Sequence, residues 1–147
     1  MLPAFGFSVG DFISAIELIV KVTKALKSSG GATSEYRSLV EELGYLRLLL
    51  EQLQDIKPSA SNLNHVNAIR GMALTFRVPL SEFLDRVEKY RTSMAAGNAG
   101  KPWQGLHRKS QWAVVMPGEI SKLRTTITMK IVTVSLLLAM PLGSVVS

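Results

Sequence analysis

Apolar residues in the middle of the chain recur in steps of three and four residues. The first such seam runs past a proline and comprises Val66, Ile69, Ala73, Phe76, Leu80, Phe83, Val87 and Tyr90. A second seam comprises Tyr36, Leu39, Leu43, Leu46, Leu50 and Leu53. This spacing places the apolar residues on one face of an α-helix, whereas a strand would alternate every second residue. Long helices with a narrow apolar seam must pack against one another, so the sequence predicts an all-α bundle of four to five helices.

The helix ends follow from caps, prolines and glycines. The first helix is predicted from Val9 to Lys27, and the second from Thr33 or Ser34 to about Ile56, ahead of Pro58. The third is long, from about Leu63 to Met94. It is expected to be kinked at Pro79, or to be two helices that meet there in phase.

The remaining third of the chain is predicted as a loop and two helices. The small residues from Ala95 to Gly100 favour a flexible loop. A short helix is expected within residues 101–116, and Pro117-Gly118 should end it. The last helix should then run from about Glu119 to Met140, with a stripe made by Ile120, Leu123, Ile127, Ile131, Val134 and Leu138.

Composition limits the chain to one core. A chain of 147 residues with 47% hydrophobic residues can fold around a single core but is too short for two comfortable domains. We therefore expect one helical domain over residues 1–140 and a tail over residues 141–147. No cysteine occurs, which excludes disulfides and thiolate metal sites within this sequence and is compatible with a reducing, cytoplasmic location.

Positive charge is concentrated in the last third of the chain. Residues 101–147 carry six Lys or Arg and one acidic residue, out of a net charge of +6 for the whole sequence. An anionic membrane or an acidic protein would attract such a segment, and a solvated helix face is the alternative explanation. The candidate contacts to an anionic surface are Lys101, Arg108, Lys109, Lys122 and Arg124.

The two ends of the chain raise the question of a membrane segment. The start lacks the positive region of a secretory signal, because the first lysine is Lys21. Ile131 to Ser147 is an uncharged stretch of 17 residues that follows Lys122, Arg124 and Lys130. A tail anchor could have this pattern, but we favour a last core helix that Pro141 stops.

No pattern in the sequence predicts an enzyme. His65 and His107 have no second histidine at metal-ligand spacing, and the adjacent Glu41 and Glu42 point about 100° apart on a helix. No phosphate-binding glycine loop or nucleophile elbow is found, so neither a cofactor nor a small-molecule substrate is expected. The basic segment between Trp103 and Trp112 is a weak nucleic-acid candidate, since two such tryptophans are more often core anchors.

The start of the chain is unusually apolar for a helix on a bundle surface. A helix that is apolar almost all round is either wholly buried or able to leave the bundle and enter a membrane. The candidate membrane-contact residues are Phe5, Phe7, Phe12, Ile13 and Ile16.

Several scattered motifs resemble a widespread N-terminal helical domain of fungal proteins. They are Phe5-Gly6-Phe7-Ser8-Val9-Gly10-Asp11-Phe12-Ile13, Gly30-Gly31 before Ser34-Glu35-Tyr36, Leu80, Phe83, Leu84, Lys89-Tyr90, Trp112-Ala113 and Lys122-Leu123-Arg124. The domain is similar to the HeLo and HeLo-like domains of cell-death and incompatibility proteins, which precede ubiquitin-like or NTPase modules. The resemblance covers about residues 5–138.

The resemblance implies a non-catalytic signalling domain. In HeLo proteins, activation leads to self-association and to release of the N-terminal helix into the plasma membrane, a role that would fall here to the segment from Phe5 to Ile19. A passive scaffold that docks a partner protein, with the first helix permanently in the core, is the first alternative. A tail-anchored membrane protein that uses residues 131–147 is the second.

Overall fold

Every regular element in the described part of the chain is an α-helix. The structure is a computed structural model that describes residues 9–28, 34–100 and 102–140, with the side chains of residues 9–27, 34–89 and 115–140. The five helices are α1 (Val9–Ser28), α2 (Ser34–Asp55), α3 (Leu63–Leu74), α4 (Arg77–Gly100) and α5 (Pro102–Ala139). The predicted all-α class is thus confirmed, and α1 and α2 begin and end within about a residue of the predicted positions.

The two apolar seams form the centre of the core. Every residue of the seam from Val66 to Val87 is at most 2% exposed, and the leucines of the α2 seam are buried as well. Tyr90, the last seam residue, lies outside the described side chains. Buried side chains from all five helices join in one cluster.

Helices α1, α2, α5 and α4 contact one another in a ring around this core. α1 packs against α2 and α4, and α5 packs against the same two helices, so that α1 and α5 take opposite corners. α3 contacts both α1 and α5. The α2, α3 and α4 helices are therefore covered from two sides, by the first helix and by the last.

The break in the long third helix lies at Thr75 and Phe76, three residues before Pro79. Thr75 closes α3 with a backbone hydrogen bond to the Met72 carbonyl, and its hydroxyl donates to the same oxygen at 2.6 Å. The first backbone bond of α4 runs from the Leu80 N–H to the Phe76 carbonyl at 3.1 Å. Pro79 thus occupies the first turn, where a backbone N–H has no intrahelical acceptor, and the proline is tolerated there.

Two sequence-based predictions about helix ends are wrong. The backbone from Ala95 to Gly100 is helical and completes α4, so it is not a loop. Pro117 lies inside α5, so Pro117-Gly118 does not separate two helices. A proline inside a helix costs about 3 kcal/mol. Burial of the adjacent Met116 and Ile120 side chains in the core offsets that cost.

Gly44 provides a test of how helix propensity contributes to the stability of α2. It lies on the exposed face of the helix, and a Cβ added to it would meet no atom within 4 Å. Gly44→Ala should therefore raise the free energy of unfolding by about 0.5–1 kcal/mol, because alanine loses less backbone entropy on folding. Urea denaturation followed by circular dichroism measures this change. Gly118→Ala, at a second open helical position, should act in the same direction, and a loss of stability at both sites would contradict the described packing.

Candidate functional site: the docked first helix

The candidate membrane residues of the first helix fall into three different environments. Phe12 is 1% exposed and belongs to the core, whereas Ile13 is 48% exposed on the outer side of α1. Ile16 is partly buried and packs on the edge of the core. Phe5 and Phe7 lie outside the described residues. Of the described candidates, only Ile13 is therefore largely open to solvent while α1 is docked.

The docked helix buries an apolar face along its whole length. The residues of this face are at most 3% exposed and comprise Phe12, Ala15, Ile19, Val22, Ala25 and Leu26. The helical spacing of the α1 sequence places Ile16 and Thr23 in one stripe with Phe12, Ile19 and Leu26, but Ile16 and Thr23 are only partly buried. Thr23 uses its hydroxyl to donate to the Ile19 carbonyl at 2.8 Å. The buried face is thus centred nearer Ala15 and Val22 than the sequence stripe indicates.

Arg70 of α3 ties this face to the end of α2. Its guanidinium carbon lies 5.8 Å from the centre of the Phe12 ring, within cation–π range. The same guanidinium donates from Nε and Nη2 to the Leu53 carbonyl at 3.1 and 3.0 Å. Nη2 also donates to the Ile56 carbonyl at 2.7 Å. One charged group therefore contacts α1 and also satisfies carbonyls at the C-terminus of α2.

The sequence did not single out Arg70 as a candidate. The sequence does show that Arg70 directly follows the seam residue Ile69, and this position puts a cation beside an apolar helix face. Partial burial lowers the pKa of Arg70 from its ordinary value, because neighbouring protein removes water from the guanidinium. The group stays charged at neutral pH, since the pKa of arginine lies far above neutrality.

Arg70→Ala should lower the free energy of unfolding by about 1–3 kcal/mol, because it leaves the Leu53 and Ile56 carbonyls without a charged donor. Arg70→Lys should recover only part of this loss, since an ammonium cannot reproduce the planar fork. Urea denaturation gives the free energies. Arg47→Ala is the control, because Arg47 pairs with Glu51 on the exposed side of α2 and its loss should change stability by at most about 0.5 kcal/mol. Equal effects of Arg70→Ala and Arg47→Ala would contradict the proposed importance of Arg70.

An ion pair connects the first turn of α1 to the first turn of α4. Arg77 Nη1 lies 3.8 Å from Asp11 Oδ1, with both side chains 38% exposed. Arg77 Nε also donates to the Leu74 carbonyl at 3.2 Å, at the end of α3. A pair of this length and exposure contributes little to stability. The pair therefore adds little to the free energy that keeps α1 docked.

Four of the five candidate basic residues, Arg108, Lys109, Lys122 and Arg124, belong to α5. Lys122 is exposed, while Lys101 lies outside the described residues and the side chains of Arg108 and Lys109 are likewise outside. Arg124 instead faces α2. The described part of the candidate anionic-surface set thus contains one exposed lysine and one arginine that contacts other helices of the chain.

Arg124 forms the most extensive interhelical ion-pair network in the described side chains. Its Nε donates to both Glu42 oxygens at 3.1 and 3.2 Å, its Nη2 donates to Glu42 Oε1 at 3.0 Å, and its Nη1 donates to Glu35 at 2.9 Å. The hydrogen bond to Glu42, followed by that to Glu35, raises the pKa of Arg124. A second cross-link joins α4 to α5 through Arg86 and Glu119. Both of these links hold α5, the helix opposite α1.

An open groove runs between α1 and α4. It has a volume of about 490 Å³ and is lined by Ser14, Glu17, Leu18, Lys21, Arg77, Val78 and Ser81. Its charged residues are of both signs, so the groove has no strong preference for an anion or a cation. In the described ranges, no three His, Asp or Glu residues come together in the way a metal site requires.

The sequence also raised the question of whether a helix of this chain could span a membrane. No helix within residues 9–28, 34–100 and 102–140 has the length and apolar character needed to cross a bilayer. Residues 131–139 form the end of α5, with Val134 in the core. Residues 141–147, the rest of the stretch considered as a tail anchor, lie outside the described part.

Comparison with known proteins gives no relative from which a function could be transferred. The chain has no significant match among protein-family models, curated protein sequences or solved structures.

Proposed function

We propose that this chain is a non-catalytic regulatory domain that acts by self-association and by membrane contact through α1, in the manner of HeLo-like domains. The described structure would then be the resting state, with α1 docked. The observation that carries the proposal is the corner position of α1. The α2, α3 and α4 helices all pack on α5 as well, so they keep one common partner when α1 leaves.

The polar cross-links support the same division of the bundle. Arg124 binds α5 to α2 and Arg86 binds α4 to α5, so these links remain when α1 moves. Asp11–Arg77, at 3.8 Å, is the longest interhelical ion pair described and involves α1. These ion pairs join α5 to two helices, α2 and α4, and α1 to one, α4.

Release requires compensation for the apolar surface that α1 buries. Each large side chain such as Phe12, Ile19 or Leu26 contributes about 1.5–3 kcal/mol when it is removed from water. Transfer of these side chains from the protein core to the acyl boundary of a membrane keeps them out of water. The membrane therefore provides the compensation, and exposed Val9 and Ile13 are already apolar on the other side of the helix.

A scaffold with α1 fixed in the core is the second candidate function. It is favoured by the complete burial of Phe12, Ala15 and Val22, which makes α1 as well packed as the other helices. The two functions differ in whether loosening α1 increases membrane binding, and this can be measured.

The first experiment is co-sedimentation of the chain with anionic and with neutral vesicles. We expect binding to anionic vesicles that persists when ionic strength rises from about 0.1 M to about 1 M, because apolar insertion is not screened by salt. Ile13→Asp should weaken binding at least tenfold without unfolding the protein, since Ile13 is exposed. Leu48→Asp, at an exposed apolar position on α2 (57% exposed, against 48% for Ile13), is the control and should bind as the wild type does. Absence of binding, or an equal loss in both variants, would refute membrane contact through α1.

A second pair of variants separates release from the scaffold. Arg70→Ala should increase the fraction bound to vesicles, because it removes the contact with the Phe12 ring and loosens the docked helix without changing α1 itself. Leu123→Ala truncates a buried side chain of α5 and controls for destabilisation in general. Binding that rises equally in both variants, or in neither, would favour the scaffold.

A further inference from the structure

The outward face of α5 carries a strip of large apolar residues. Within the described part of the chain, the members of this strip are between 51% and 65% exposed and comprise Met129, Val132 and Leu136 of α5 and Met140, which directly follows the last residue of the helix. Steps of three and four residues keep Met129, Val132 and Leu136 on one side of the helix, and Met140 follows Leu136 by a further step of four. Ile127 and Val134, on the other side, are buried in the bundle. The α5 helix thus has a core face and a second apolar face that the rest of the described chain leaves exposed.

The strip is uncharged as well as apolar. No charged residue occurs between Lys130 and Met140, and the exposed neighbours Thr133, Ser135 and Ala139 are small and neutral. The outer face of a bundle helix is ordinarily polar or charged, whereas apolar residues in steps of three and four are the pattern of a helix–helix seam. Such a face, without charges that repel their own kind, can be covered by an identical one.

Other exposed apolar residues in the described ranges do not form such a strip. Tyr45 and Leu48 on α2 are exposed beside the charged residues Glu41, Arg47 and Glu51. Val78 is the exposed large apolar residue described on α4. Scattered apolar residues of this kind are normal on a protein surface and require no partner.

We propose that the strip from Met129 to Met140 is the contact by which two copies of this chain associate, with the two α5 helices antiparallel. This inference rests on the proposed function, because it identifies the surface used for self-association. The same strip on both copies makes the contact isologous, the arrangement found in two-fold dimers. Val132 of each copy then packs against Leu136 of the other, and Met129 against Met140.

The position of Lys130 selects the antiparallel orientation. A parallel pair would place Lys130 of one copy beside Lys130 of the other. In the antiparallel pair with Val132 opposite Leu136, Lys130 lies level with Leu138 of the other copy, so the two lysines are about 12 Å apart along the helix axis. That separation exceeds the Debye length of about 8 Å at physiological ionic strength, so their repulsion is largely screened.

The strip is small for an interface between two proteins. The strip is about 17 Å long and one helix wide. A standard interface buries about 800 Å² on each partner, and the strip is smaller than that. We therefore expect a reversible dimer with a dissociation constant in the micromolar range.

Sedimentation equilibrium of the purified chain from about 1 to about 500 µM tests the proposal, since this range spans a micromolar dissociation constant. The wild type should shift from monomer to dimer with rising concentration. Leu136→Glu should weaken dimerisation at least tenfold, whereas Leu48→Glu should not change it. The two leucines are matched, being 65% and 57% exposed on outer helix faces. A wild type that stays monomeric, or an equal loss in both variants, would overturn the proposal.

Cysteine cross-linking tests the orientation directly, because the chain has no cysteine of its own. Val132→Cys protein is mixed with Leu136→Cys protein under mild oxidation. The antiparallel pair brings these two positions together, so the mixed disulfide dimer should form at least five times faster than either same-residue dimer. Faster same-residue products would overturn the antiparallel contact, since a disulfide needs Cβ atoms about 3.5–4.5 Å apart.

Vesicle binding separates this inference from the proposed function. If the strip instead contacts lipid, Leu136→Glu should weaken co-sedimentation while the wild type remains monomeric without vesicles, and the dimer proposal fails. The effect of Ile13→Asp on vesicle binding measures membrane contact through α1 alone. A dimer that is absent while the Ile13 effect persists would remove this inference and leave membrane contact through α1 standing.

Discussion

The apolar seam from Val66 to Val87 imposes a constraint that shapes the whole bundle. It extends over two helices and keeps its phase across the break at Thr75 and Phe76, so all of its residues need cover along one continuous line. No single helix of the chain covers that line alone. α1 contacts the seam from one side and α5 from the other. The buried leucines of α2 belong to the same core, and α2 packs against both α1 and α5. The positions of the first and last helices follow from this requirement.

Arg70 is the point at which the polar and apolar parts of the fold meet. The end of α2 leaves carbonyl groups without helical partners, and an apolar surrounding would make that costly. The guanidinium satisfies two of them, and its central carbon lies 5.8 Å from the centre of the Phe12 ring. One side chain thus links the close of α2, the buried end of α1 and the middle of α3. An aliphatic residue at position 70 could pack against Phe12, but it would leave the carbonyls without a donor.

The sequence predicted the features that depend on local periodicity, and it missed those that depend on contacts between distant residues. The leucine seam of α2 and the seam of α3 and α4 could be predicted because the buried face of a helix repeats every three or four residues. The break was expected at Pro79, but backbone bonding put it at Thr75 and Phe76, since proline is tolerated in the first helical turn. The α5 helix continues through Pro117 because other helices bury Met116 and Ile120. Such burial cannot be predicted from the local sequence.

The candidate site shows the same limit. Phe12, Ile13 and Ile16 all appear apolar in the sequence, and only the packed structure separates the buried phenylalanine from the exposed Ile13. Arg124 resembles Lys122 as a basic residue near the end of the chain. Its partners Glu42 and Glu35 are 82 and 89 residues away, and that pairing turns it from a surface charge into a cross-link. Residue type alone does not carry such information.

The two proposed surfaces lie on helices at opposite corners of the bundle, and this has a consequence for mechanism. α1 and α5 share α2 and α4 as neighbours but pack little against each other. A second copy on the outer strip of α5 would therefore leave α1 free to move, and departure of α1 would leave the strip in place. Association also raises the local concentration of first helices, so that two weak membrane contacts act together. The proposed weak dimer on α5 and the proposed membrane contact on α1 would thus reinforce each other without a conformational link between them.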